Sequence, residues 1–372
     1  MKREELRTPC YVIMESEMKK NLQILQEIRQ QSGCKILLAQ KAFSMYSCYP
    51  LIGEYLDGTT ASGLYEAKLG KECMGKENHI FSPAYREDEF EEVLANCEHL
   101  VFNSFSQLEK FGERAANAGK SVGIRVNPEC STQGEHAIYD PCAPGSRLGI
   151  LVSEFPETLP SYVEGLHFHT LCEQNADALE ITLKAVEEKF GKWMKQLKWV
   201  NFGGGHHITR ADYDRELLIS CVRRIQDTYN VQVYLEPGEA VALNAGHLIT
   251  TVEDIVHNDI AVLDVSAACH MPDVIEMPYR PPLFDSGEAK EKEYTYLLGG
   301  PTCLAGDVIG SYSFDQPLKV GDRLTFGDMA IYTTVKNNTF NGMRLPDIVW
   351  ERESGECEIV KSFGYEDFKC RL

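Results

Sequence analysis

The residues of this chain best placed to do chemistry are a lysine, two pairs of histidines, a run of three glycines, a glutamate and a cysteine. Lys41 follows the apolar run Lys35-Ile-Leu-Leu-Ala-Gln40. A lysine desolvated there would have a depressed pKa and a nucleophilic amine, although most strand-end lysines sit in solvent. Gly203-Gly204-Gly205 follows Lys198-Trp-Val-Asn-Phe202. Three glycines let a backbone approach an anion and aim N–H groups at it, which suits a phosphate; a tight strand-to-helix turn uses them too. Glu236-Pro237-Gly238-Glu239 ends the next β-prone run. It is either a carboxylate fixed for a site or a turn with solvated acids. His167 and His169, two apart in a β-prone run, share one face and with His206 and His207 suggest a metal site. No carboxylate or cysteine stands at metal-ligand spacing beside them, so packed or hydrogen-bonded imidazoles are the commoner reading and no metal is expected. Gly300-Pro301-Thr302-Cys303 offers a thiol that is either a proton donor or a small buried side chain, and Asp307 and Gly327-Asp-Met-Ala-Ile-Tyr332 follow it.

These residues punctuate a regular alternation. Short β-prone runs at 35–38, 121–127, 162–169, 199–202 and 231–235 lead into polar or glycine-rich turns. Between them lie helical patterns, the clearest being Leu179, Leu183, Val186, Phe190, Trp193 and Leu197, with a second over 210–229. Strand, loop, helix and strand in repetition predict parallel βα units. The polar motifs all fall at carboxyl ends of strands, where barrel active sites lie, so a (β/α)8 barrel is preferred to an open sheet. After residue 239 the texture becomes β-rich, with strands expected at 248–256, 260–265, 294–298, 307–314 and 323–335. The fold class is therefore α/β plus all-β: a TIM barrel over 11–240 and a C-terminal β-barrel-like domain over 241–372. Residues 1–10 form an N-terminal strand able to join the β domain.

Composition narrows the function. The 372 residues carry 37 basic and 56 acidic side chains, a net charge of −19. Such a surface repels nucleic-acid backbones and attracts cations. Thirteen cysteines scattered without CxxC spacing read as reduced thiols in a cytoplasmic protein. The charged start Met1-Lys-Arg-Glu-Glu-Leu6 is unlike a signal peptide, and no apolar stretch approaches the roughly 18 residues of a membrane span.

The order of the motifs carries more than any one of them. A strand-end lysine, His169, Gly-Gly-Gly, Glu-Pro-Gly, Gly-Pro-Thr-Cys and Gly-Asp-Met-Ala-Ile-Tyr succeed one another across nearly the whole chain. In this the sequence resembles the fold-type III pyridoxal-phosphate decarboxylases, the group of the ornithine, diaminopimelate and arginine enzymes. Leu38-Ala-Gln-Lys41-Ala-Phe-Ser44, Gly165-Leu-His-Phe-His169 and Asn201-Phe-Gly-Gly-Gly-His-His207 resemble its carboxynorspermidine/carboxyspermidine branch most closely. The resemblance implies pyridoxal 5'-phosphate bound covalently by Lys41, its phosphate on Gly203, Gly204 and Gly205, and its pyridine nitrogen on Glu236, next to Gly238. It implies His169 against the ring face, and Cys303 beside Tyr332 from a second subunit as the proton donor at Cα. The enzyme would be a homodimer with shared active sites, making norspermidine or spermidine in polyamine biosynthesis.

Departures from the family pattern sharpen the substrate. Glu239 stands where many relatives carry an arginine for the cofactor phosphate or a distal carboxylate. It is suited instead to an ammonium, and Asp273, in Cys269-His-Met-Pro-Asp-Val-Ile-Glu276, to a second one. His169-Thr-Leu-Cys172 replaces a glycine-serine phosphate contact. Arg147, in Gly145-Ser-Arg-Leu-Gly149, is either a substrate-carboxylate ligand or half of a structural ion pair. Another basic amino-acid decarboxylase, a non-catalytic homologue that binds a partner, and a metal-dependent barrel hydrolase are the alternatives.

Overall fold

The computed structural model describes residues 1–134 and 137–372. Two units divide the chain: Asn21–Val241, and Met1–Lys20 together with Ala242–Leu372. The first strand, β1 (Cys10–Met14), belongs to the second of these.

The 21–241 unit is a closed barrel of parallel strands: β2 (Lys35–Ala39), β3 (Gly58–Ala61), β4 (Glu77–Phe81), β5 (His99–Phe102), β6 (Ser121–Arg125), β7 (Val163–His167), β8 (Trp199–Asn201) and β9 (Gln232–Leu235). β9 closes it against β2 by pairing Tyr234 with Lys35 and Leu235 with Ile36. Strands covered on both sides read as unbroken apolar runs, as in β2 and β5, where everything after the first residue is buried. Lys35, Glu77, His99 and Ser121 open their strands and so mark one end of the barrel. There the Trp199 indole fills the space above Gly123 and Gly165. A Cβ on Gly165 would lie 1.9 Å from its ring. Glu77 completes this plug by accepting hydrogen bonds from His79 Nε2 (2.8 Å), Tyr234 OH (2.8 Å) and Lys35 Nζ (2.6 Å).

The predicted helix around Leu179 spans Ala176–Met194, opened by Asn175, whose side chain accepts from Ala176 N at 2.7 Å. It buries Leu179, Leu183, Val186, Phe190 and Trp193, each worth about 1.5–3 kcal/mol of transfer free energy. Leu197, the last member of the spacing, is buried in the turn beyond the helix. The 210–229 pattern starts later, at Arg215, because Asp214 caps Leu217 N at 2.9 Å. It ends on Asn230 in the left-handed region. The crossover from β6 to β7 carries only short 3-10 turns among the described residues, not a helix.

The other unit is a mixed sheet. β10 (Gly246–Val256), β11 (Ile260–Leu263), β12 (Tyr294–Gly299), β13 (Val308–Phe314), β14 (Arg323–Phe326), β15 (Asp347–Glu351) and β16 (Cys357–Lys361) join β1 in the order β13-β12-β11-β10-β1-β15-β16, with β14 also on β10. β1 lies between β10, antiparallel, and β15, parallel. That double pairing takes the chain up to Lys20 into this unit, ten residues beyond the N-terminal strand marked out by sequence. The expected strand 323–335 stops at Phe326. Gly327-Asp328 turns the chain, Asp328 and Tyr332 take φ of +51° and +54°, and Thr333–Lys336 is helical. Tyr11, Leu248, Val252, Leu263, Tyr312 and Phe326 anchor the core on one side of the sheet. No helix among the described residues is long and apolar enough to cross a membrane.

Candidate active site

The barrel brings its polar motifs together at the carboxyl ends of β2, β6, β7, β8 and β9. Lys41 lies two residues past β2, Arg125 and His167 end β6 and β7, and Asn201 ends β8 ahead of the glycines. Glu236 follows β9 directly. The turn carrying Lys41 is seated on the Glu-Pro-Gly segment: Ala39 N donates to Pro237 O at 3.1 Å. A Cβ on Gly238 would lie 2.5 Å from that of Ala42. Gly238 therefore acts by letting these two turns approach, rather than by offering a contact of its own.

Charge is distributed unevenly in this mouth. Glu236 is 7% exposed. It accepts from Asn201 Nδ2 at 2.8 Å and faces His167 Nε2 at 3.2 Å. Burial alone would raise its pKa, but the His167 contact, the Asn201 amide and neighbouring positive potential hold it down at about 2. His167 is itself shifted down by burial, so the pair is a neutral imidazole donating to a carboxylate. Lys41 opens onto the mouth but is crowded by protein on its other sides. Desolvation lowers its pKa, Arg125 lowers it further and Glu236 opposes. Among the described residues its amine has no hydrogen-bond partner, which leaves it available as a nucleophile. Arg125 is 5% exposed, lies 4.5 Å above the Phe81 ring and donates only a long 3.4 Å bond to His169 O. Its Nε has no partner, and burial lowers its pKa to about 10.

The four histidines do not come together: His207 lies with Glu173 and Glu239 at ligand-like distances, and the other three have separate partners. His167 serves Glu236, and His169 Nδ1 accepts from Gly204 N at 2.9 Å. His206 reaches the Phe202 carbonyl at 3.4 Å, and His207 Nε2 meets Glu239 at 3.0 Å. Accepting at Nδ1 makes His169 neutral with its proton on Nε2, in keeping with a pKa driven well below its usual value by burial and by Lys41. His207 is the opposite case: burial disfavours its charge, yet the Glu239 carboxylate raises its pKa.

The three glycines of the loop differ in where their N–H groups point. Gly203 N donates to Asn201 Oδ1 at 2.8 Å and Gly204 N to His169, so these two N–H groups orient protein side chains and are not free for a phosphate. Among the described residues only Gly205 of the three keeps its N–H uncommitted. Glycine is required at 203 and 205 because φ is +69° and +81°. A Cβ would lie 2.6 Å from Phe168 O at the first and 2.1 Å from Leu171 O at the second. Arg147 is exposed on the β6–β7 crossover, near where Ile150 bridges Val126 just past β6. Among the described residues no carboxylate pairs with it.

Three further predicted residues lie in the sheet unit. Cys303 is exposed, on the β12–β13 loop, with its N–H on Asn341 Oδ1 at 2.7 Å. Tyr332 is half-buried in a left-handed conformation, a strained placement for a bulky residue. Asp273 is not an open carboxylate: it shares Lys336 Nζ with Glu276. Arg125 and Asn201 were not singled out by sequence reasoning. Their signal was position, a charged and an amide side chain each closing an apolar strand.

The barrel site thus has an unpartnered amine, a permanently ionised buried carboxylate, a neutral imidazole and a buried guanidinium with a spare N–H. This donor set fits an aromatic aldehyde with a basic ring nitrogen and an anionic group. Residues 10–330 match the pyridoxal-dependent decarboxylase family with its C-terminal sheet domain. A carboxynorspermidine/carboxyspermidine decarboxylase of Campylobacter jejuni is 46% identical over 99% of both chains. A carboxyaminopropylagmatine decarboxylase of Synechocystis is 41% identical over 99% of this chain and 96% of its own. The crystal structure of carboxynorspermidine decarboxylase from Campylobacter jejuni, complexed with norspermidine, superposes with a TM-score of 0.92. It covers 99% of this chain and 100% of that one. A lysine and a buried glutamate set across a barrel mouth, in a chain that matches such enzymes along its length, make this protein a member of the pyridoxal-dependent decarboxylase family.

Proposed function

We propose that this protein is a carboxy-lyase that converts carboxynorspermidine or carboxyspermidine to norspermidine or spermidine with pyridoxal 5'-phosphate. The observation that carries the reading is the Lys41 amine, without a hydrogen-bond partner among the described residues, in the same barrel mouth as Glu236, which Asn201 and His167 hold. The cofactor, when bound, supplies the sink for the electrons that CO2 leaves behind. Lys41 holds it, and its lowered pKa keeps part of the amine population neutral and nucleophilic. Glu236, anchored by Asn201 and His167, offers a fixed negative charge to the ring nitrogen and keeps that nitrogen protonated. His169, turned by Gly204, presents a neutral imidazole face. Arg125 supplies the buried positive charge and Gly205 an N–H for anionic oxygens. A second copy of the chain is expected to contribute Cys303 and Tyr332, with Cys303 returning a proton to Cα. The thirteen free cysteines suit the cytoplasm.

Charge accounting supports a polyamine. Glu173 and Glu239 surround His207 at ligand-like distances, two carboxylates beside one imidazole. Asp273 and Glu276 surround Lys336 in the same ratio. Each group is rich in carboxylates and is suited to an ammonium, as a polyamine would supply. Arg147 is proposed to attract the carboxylate. Diaminopimelate fits poorly, because its distal carboxylate would face Glu239.

The test is CO2 release by cofactor-loaded protein from carboxynorspermidine, carboxyspermidine, carboxyaminopropylagmatine, diaminopimelate, ornithine and arginine. Release confined to the two carboxylated triamines is expected; release from diaminopimelate would overturn the substrate assignment. In Glu239→Arg, kcat/KM for the triamine acids should fall by about 100-fold or more, the cost of reversing a charge at a buried contact. Cofactor affinity should hold; the reverse pattern would remove Glu239 from substrate recognition.

A further inference from the structure

We propose that Asp307 is the positioning residue of the active-site thiol, holding the Cys303 loop and tying it to the two other segments that carry Asp273 and Tyr332. The role of Cys303 rests on the function proposed above; the tether itself is a matter of geometry. Asp307 is 4% exposed and, among the described residues, has no cation within ion-pair reach. Hydrogen bonds alone satisfy it. Its Oδ1 accepts from Ser266 Oγ at 2.9 Å and Ala268 N at 3.1 Å, and its Oδ2 from Thr302 Oγ1 at 2.7 Å and Thr302 N at 3.3 Å. The β12–β13 loop is thereby pinned one residue before Cys303. Gly300 is what allows the close approach, since a Cβ there would lie 2.3 Å from Oδ2.

From this carboxylate the bonds run in a closed circuit. Ser266 Oγ also caps the short helix ahead of Asp273 by accepting from Cys269 N at 3.1 Å. Asn338, six residues past Tyr332, clasps that helix: its N donates to Cys269 O at 2.9 Å and its Nδ2 to Ala268 O at 2.8 Å. Asn338 Oδ1 accepts from Phe340 N at 3.0 Å, and the next residue, Asn341, takes the Cys303 N–H. Three segments distant in sequence, each bearing one proposed site residue, are thus fixed through one buried anion. A neutral amide cannot replace it. Each carboxylate oxygen faces a backbone N–H, of Ala268 or of Thr302, so either orientation of an asparagine sets its NH2 against a donor.

The experiment measures alkylation of Cys303 by iodoacetamide in the full-length, cofactor-loaded protein, followed by peptide mass spectrometry, with exposed Cys370 as internal control. In Asp307→Asn the Cys303 rate should rise about tenfold, the equivalent of one lost charge-assisted hydrogen bond, while Cys370 and cofactor absorbance stay unchanged. Thr302→Val, the milder variant should the first not fold, should raise the rate in the same direction, and Thr302→Ser should restore it. Rates in Asp307→Asn or Thr302→Val that match the parent would overturn the tether. Cys303→Ala, scored by the stereochemistry of solvent deuterium entering the product, judges the proton-donor role separately. Unchanged stereochemistry there would end that role while leaving the alkylation result to decide on Asp307.

Discussion

Lys41→Ala should lose turnover by a factor of about 10⁴ or more, the scale on which covalent catalysis by an activated amine operates, and should no longer retain cofactor through gel filtration. The same variant should be more stable than the parent when both are free of cofactor. The native amine opens onto the mouth but is partly desolvated by the protein around it, lies near Arg125 and has no hydrogen-bond partner among the described residues, so its folded-state pKa lies below the ordinary lysine value. A base with a depressed folded pKa weakens the native state wherever the unfolded chain is protonated, which for lysine means everywhere below about pH 10. Removing it relieves that cost. Retained activity would exclude Lys41 from the chemistry. Lost activity with a lowered melting temperature would show that the lysine serves the fold instead.

The barrel was legible in sequence where a strand ended on chemistry. β2, β6, β7, β8 and β9 each run into a polar or glycine-rich turn, and each was found. β3, β4 and β5 were not singled out: Gly-Thr-Thr-Ala, Glu-Asn-His-Ile-Phe and His-Leu-Val-Phe are short, and two begin with residues of the polar plug. The sheet strands after 239 are visible through their turns, with the exception of β15 and β16. β14 is shorter than its sequence pattern predicts because apolar residues continue past Phe326 into a turn and a helix, and only backbone conformation separates them.

Legibility in the site followed a similar line. Residue type and position identified Lys41, Glu236 and the glycines. The division of labour among the glycines depends on which N–H groups meet Asn201 and His169, and linear order does not encode that. The same holds for Asp273. Its carboxylate reads as an open amine receptor until Lys336, sixty-three residues away, is folded against it.

Acid should destabilise this protein well above the range in which its carboxylates titrate. Burial depresses six imidazoles: His99 to about 3, His206, His247 and His270 to about 4, and His167 and His169 also downward. A depressed folded pKa means that the unfolded chain takes up the proton first. The stability these groups contribute is complete above about pH 6.5 and is lost as the pH falls below it, continuing toward the folded values near 3 to 4. Each imidazole contributes a slope of about 1.4 kcal/mol per pH unit in that window, so the six together remove on the order of 5 kcal/mol within the first unit or so. His207 acts with the opposite sign. Raised by Glu239, it stabilises fully below about pH 6.5 and loses that contribution as the pH rises through its folded value, too small an effect to reverse the trend. Glu236, held near 2, adds its loss only as the pH falls from the ordinary carboxylate value of 4.5 toward 2. Urea midpoints of the cofactor-free protein at pH 7, 6 and 5 should therefore fall steeply. A midpoint that stays flat to pH 5 and drops only where carboxylates protonate would mean that these imidazoles are charged in the folded state, and that His169 is not the neutral ring its bond to Gly204 requires.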